Sequence, residues 1–152
     1  MRAPGRVLLL VAACCSAIVA AVHVAILLGG PSWYRWFGAP SLADQIERGS
    51  VVGPVVLTLA VVAVFVVWAG YGLSGAGVVR RLPLLRTALY AIAVIYLLRG
   101  WPVVLEVPAA LHGKLPARFP VFSAYSALSG VVYLLGTIRR GRSGQVPSAH
   151  AV

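Results

Sequence analysis

The stretch 51-VVGPVVLTLAVVAVFVVWAGYGL-73 runs for 23 residues without a charged side chain. A helix of that length, at about 1.5 Å per residue, crosses a hydrocarbon core of about 30 Å. Backbone amides in lipid have no water to bond and must be satisfied inside the segment. A barrel strand would alternate in polarity, and this run does not. It reads as a membrane-spanning helix, and the rest of the chain follows from it.

Three more apolar segments flank this one. Val7 to Leu28 has only Ser16 and His23 as clearly polar side chains, and Phe119 to Ile138 is uncharged. The remaining segment starts near Leu82, carries Arg86 in its first turns, is interrupted by Arg99, and resumes through Leu105. The expectation is an all-α integral membrane protein, a four-transmembrane-helix bundle with helices at about 7–28, 51–73, 82–105 and 119–138. These form a single transmembrane domain over 1–140. The Gly/Ser/Pro-rich stretch 141–152 is expected to be a disordered cytoplasmic tail.

Composition agrees. Of 152 residues, 61% are hydrophobic and 11% charged, with a mean hydropathy of +0.94. A soluble domain carries about 25% charged residues. That excludes a water-soluble globule, and the hydrophobicity excludes disorder. Arg2 and Arg6 followed by an apolar run, with Val11-Ala12-Ala13-Cys14, suggest a lipoprotein signal peptide. Only five apolar residues separate Arg6 from Ala12, however, and the run continues to Leu28, so an uncleaved helix is expected.

The net charge of +10 would suggest nucleic acid in a soluble protein, but here the cations sit at the ends of apolar segments, and no nucleic-acid partner is expected. Arg2, Arg6, Arg80, Arg81, Arg86, Arg139, Arg140 and Arg142 fall on one side. Arg35, Arg48, Lys114 and Arg118 fall on the other, with all three acids, Asp44, Glu47 and Glu106. The positive-inside rule places both termini in the cytoplasm. Arginine supplies all the cations but Lys114, and asparagine is absent; that skew points to a GC-rich bacterial genome and hence a bacterial inner membrane.

The first outer loop has its own pattern. Pro31-Ser-Trp-Tyr-Arg-Trp-Phe37 gathers four aromatics around one arginine, which suits the membrane–water interface. Ser41-Leu-Ala-Asp44 is a capping-box pattern that starts a short interfacial helix to Arg48, closed by Gly49. Pro83 is expected in the first turn of the third helix.

Candidate chemistry is sparse. Arg99 is the one charge deep in a span, thirteen residues beyond Arg86, about 20 Å along a helix. Such charges cost about 2.5–3.5 kcal/mol on insertion scales and face a partner or a cavity. Tyr96, Arg99 and Glu106 share a helix face. The sharp reading is an outward-facing polar site of His23, Arg99, Glu106, Tyr96, Trp33 and Trp36, with the third helix continuing past Gly100 and Arg99 meeting an acid or the neighbourhood of His23. The plain reading is a helix that ends near Gly100, an Arg99 that snorkels to headgroups, and a His23 that bonds between helices. Cys14 and Cys15 lack CxxC spacing and read as buried apolar residues. Gly72-Leu-Ser74-Gly75 looks superficially like the serine motif of rhomboid proteases, but no base reaches it, because the plausible histidines lie on the outer side. No catalytic residue, metal site or cofactor is expected. Small residues at Ala13, Ala17 and Ala21, beside Ala12, Ser16 and Ala20, and at Ser126 and Gly130 read as close-packing stripes, within the chain or in self-association.

His23 ahead of Gly29-Gly30, then Trp33-Tyr34-Arg35-Trp36-Phe37-Gly38, Leu73-Ser74-Gly75-Ala76-Gly77 and Arg80-Arg81-Leu82-Pro83-Leu84-Leu85-Arg86, together resemble small bacterial four-span inner-membrane proteins of no assigned function. The resemblance implies fold and membrane, and no chemistry. A structural or accessory membrane protein is the expected role, with lipids or other membrane subunits as partners. The alternative is a small-molecule or lipid-binding protein, or a transporter, with the outward-facing site; an enzyme has the least support.

Overall fold

The computed structural model describes residues 4–143, and all regular structure among them is helical. Seven helices follow in order: α1 Pro4–Gly29, α2 Pro31–Trp36, α3 Pro40–Glu47, α4 Val52–Ala76, α5 Leu85–Gly100, α6 Val103–Leu111 and α7 Arg118–Ser143. Pro4–Gly29, Val52–Ala76, Leu85–Leu111 and Arg118–Gly141 are each long and apolar enough to cross a membrane. Arg2 and residues 144–152 of the expected tail lie outside the described residues; α7 takes in 141–143.

The chain divides into two compact units, one of residues 14–69, the other of 1–13 with 70–152. In the 14–69 unit, the helix expected in the first outer loop is accompanied by a second. Pro31 occupies the first turn of α2 and Pro40 that of α3, where a missing N–H costs little. The Ser41 capping box does not form: the N-cap is Ala39, with no side-chain cap bond, because Pro40 already sets the entry dihedral and Asp44 is drawn to Arg35. Ile26, Tyr34 and Ala43 are buried together, with Val22, Phe37, Leu42 and Ile46 packed on them.

In the other unit, α5 packs along α7. A Cβ at Gly100 would lie 2.6 Å from the Ala127 Cα, and one at Gly130 would lie 2.9 Å from the Leu97 amide nitrogen. Glycine at both positions lets the two backbones meet. Tyr96 and Tyr133, both buried, stack across this contact at 5.8 Å between ring centroids.

The helix of residues 82–105 differs from expectation at both ends. Leu84 takes a left-handed conformation (φ 50°) and its carbonyl accepts the first helical bond, from Ala88, so Pro83 precedes the helix. At the far end α5 stops at Gly100 because Pro102 has no N–H to continue the ladder. Trp101 and Pro102 keep right-handed dihedrals, and helix resumes as α6.

The stripe on α1 is also resolved. Leu9, Ala12, Ala13, Ser16 and Ala20 are buried, while Ala17, Ala21 and Cys14 are exposed. In the 1–13/70–152 unit, Ala13 meets Gly72 of α4 so closely that an added Cβ there would lie 2.9 Å from the alanine Cβ. Hydroxyls inside the helices are satisfied locally. Thr58, Ser126, Ser129 and Thr137 each donate to the carbonyl four residues back, at 2.7–3.0 Å. An apolar surrounding requires such bonds.

Candidate functional site

The expected site residues divide between the two units. His23, Trp33 and Trp36 belong to 14–69; Tyr96, Arg99 and Glu106 belong to the other. His23 is half-buried on α1. Its Nδ1 lies 2.8 Å from the Val19 carbonyl, which only accepts, so Nδ1 carries a proton and the ring stacks on Phe65 at 5.6 Å. Trp33 and Trp36 are exposed and pack around Phe37, at 6.1 and 4.6 Å between centroids.

Tyr96 is spent on the α5–α7 interface. Arg99, in the last turn of α5, donates from Nη1 to Ser123 Oγ at 3.3 Å. The expected pairing of Arg99 with an acid is replaced by this hydroxyl contact. Two of the three acids are already engaged by Arg35, and Pro102 ends α5 before the helix reaches Glu106. Glu106 lies in the first turn of α6, with Oε2 buried and without a hydrogen-bond partner. His112, at the other end of α6, donates from Nδ1 to the Pro108 carbonyl at 2.7 Å, a contact that caps the helix.

The sequence marks Arg35 as an outer-side cation at the centre of an aromatic cluster. Arg35 is in fact a clamp. Nη1 and Nη2 grip both oxygens of Glu47, at 2.5 and 2.6 Å, and Nη2 also reaches Asp44 at 2.8 Å. The fork matches a carboxylate, as arginine geometry allows and lysine geometry does not. The bonds to Glu47 and Asp44 push the Arg35 guanidinium further up, and Arg35 holds the Glu47 carboxyl below its ordinary value. The clamp fastens α2 to α3.

A second arrangement lies within the 1–13/70–152 unit: a groove of about 620 Å³. Leu9, Ser74, Gly75, Leu89 and Thr137 are its buried floor, and Arg81, Arg86 and Arg140 are on its exposed rim. Its construction begins where α4 ends. Gly77, at φ 71°, closes the helix: its N–H bonds to the Ser74 carbonyl and that of Val78 to Leu73. These two bonds form the Schellman arrangement, which glycine adopts without a Cβ penalty. Ser74 then fastens the following loop, donating to the Arg80 carbonyl and accepting from the Leu82 amide, both at 3.0 Å. Arg81 is thereby held beside α5 and α7. The sequence motif around Ser74 is thus a loop staple. The arginines were readable as topology markers, but their convergence needs segments at 9, 74–81, 86 and 140 to fold together.

Among the described residues, no group of three His, Cys, Asp or Glu side chains is placed to hold a metal ion. No family model, curated protein or solved structure matches this chain.

Proposed function

We propose that the chain is a multi-pass protein of a bacterial inner membrane, with both termini cytoplasmic, and that its role is structural or accessory rather than catalytic. One observation carries the membrane reading. Large apolar side chains open outward along every long helix, among them Ile18, Leu57, Val66, Leu98 and Leu128. A soluble protein does not sustain so extensive an apolar exterior. Orientation rests on the arginine asymmetry, and an accessory role on the scarcity of polar groups in the spans. In this reading the aromatics of α2 lie at headgroup depth and α2–α3 rests on the outer leaflet.

Extraction tests the reading: the protein stays with membranes in alkaline carbonate and leaves only with detergent. Recovery in the aqueous fraction would contradict it. The buried, unpartnered Oε2 of Glu106 favours a second reading, a polar ligand bound near α6 on the outer side.

A further inference from the structure

The groove closed by Ser74 and Gly77 has a pronounced imbalance. Three arginines, Arg81, Arg86 and Arg140, line its rim, and no acidic residue is among the lining. The chain's three acids are elsewhere: Asp44 and Glu47 are clamped by Arg35, and Glu106 is on α6. Gathering like charges costs energy, and an anion between them offsets it. Two of the guanidinium groups lie directly against glycine backbone at the rim. A Cβ at Gly77 would meet Arg140 Nη2 at 3.2 Å, and one at Gly141 would meet Arg86 Nη2 at 3.6 Å. Arg86 is steadied over the Tyr90 ring at 5.9 Å.

Below the rim the floor changes character. Leu9, Leu85 and Leu89 line it together with the Ser74 and Thr137 side chains and the bare backbone of Gly75. At about 620 Å³ the groove is in the size range of small-molecule sites, well beyond one inorganic anion. Guanidinium forks match phosphate oxygens in pairs, and basic pockets between helices at a cytoplasmic face take phosphate headgroups.

We propose that this groove binds a phosphate group, carried on a molecule whose apolar part lies over Val79 and Leu85. The phosphate comes from an anionic membrane lipid or from a soluble phosphate ester. Arg86 and Arg140 hold it from α5 and α7, and Arg81 is positioned by the Ser74 staple. Only the lipid source rests on the membrane reading proposed above, and carbonate extraction tests that reading separately.

The test uses the full chain purified in an uncharged detergent, with retained lipid counted by native mass spectrometry. The probes are phosphatidylglycerol, phosphatidylcholine and inorganic phosphate. Wild-type protein should retain phosphatidylglycerol over phosphatidylcholine, and Arg86→Gln and Arg140→Gln should each weaken retention by roughly tenfold. Arg80→Gln removes the same charge from a residue that does not line the groove, and should leave retention near wild type. Melting without added lipid should be unchanged in all three variants, because these side chains are exposed. Competition by millimolar phosphate would assign the site to a soluble ester; its failure, with lipid retained, would assign it to lipid. Equal weakening by Arg80→Gln and Arg86→Gln would mean diffuse charge attraction and overturn the proposal. So would absence of binding by every probe.

Discussion

The Tyr34 hydroxyl lies 2.6 Å from Thr58 Oγ1, and Thr58 itself lies 2.8 Å from the Pro54 carbonyl. A carbonyl only accepts, so the threonine proton goes to Pro54 and the tyrosine proton goes to the threonine. Both side chains are buried, and the chain of two bonds fixes α2 to the first turns of α4. The two residues are therefore unequal. Tyr34→Phe leaves Thr58 with its donor satisfied and should cost about 1 kcal/mol. Thr58→Val strands a buried phenol and should cost more, about 1–3 kcal/mol. Thermal melts in detergent read both; a Tyr34→Phe cost equal to or above that of Thr58→Val would contradict the assigned direction.

The Arg35 clamp makes the α2–α3 corner sensitive to acid. The Glu47 carboxyl titrates below its ordinary value in the fold. A depressed carboxylate contributes stability that is complete above its unfolded pKa and is lost as pH falls through the folded one. Tryptophan fluorescence from Trp33 and Trp36 should therefore be constant near neutrality and change as pH falls below about 4.5. Arg35→Gln should remove the transition, and Arg35→Lys should keep only part of it.

Gly100 and Gly130 set the approach of α5 to α7. Gly100→Val would drive a side chain into the Ala127 backbone and should cost about 3 kcal/mol or more, read as loss of folded protein on size exclusion. Ala17→Val, on an exposed face of α1, should leave the protein folded.

Glu106→Gln separates the two functional readings. If the carboxylate serves nothing, removing a charge with a buried, unpartnered oxygen should leave melting unchanged or raise it. A drop in melting temperature reversed by an added polar solute would favour an outer ligand site.

The sequence disclosed the long helices because apolar length is a local signal, as at 51–73. It was poorer on faces. Where the exposed side and the packed side are both apolar, periodicity does not choose between Ala12–Ser16–Ala20 and Ala13–Ala17–Ala21, and the structure buries the first set with Ala13. α2 has six residues, too few for a helical period. Arg35 reaches Asp44 and Glu47 only because Gly38 and Ala39 turn α3 back toward α2. Trp101-Pro102 is visible in the sequence as a possible stop, and only one of the two readings of Arg99 carries the helix past it, toward an acid or the neighbourhood of His23. The hydroxyl of Ser123, on α7, was the partner that no local pattern names.

Membrane topology is the central claim, and impermeant-thiol labelling tests it most directly. In a Cys14→Ala, Cys15→Ala background, Lys114→Cys and Val78→Cys place single thiols between α6 and α7 and just after α4. In intact spheroplasts an impermeant maleimide should label position 114, and position 78 only after permeabilisation. Labelling of position 78 in sealed spheroplasts, with position 114 protected, would contradict the account.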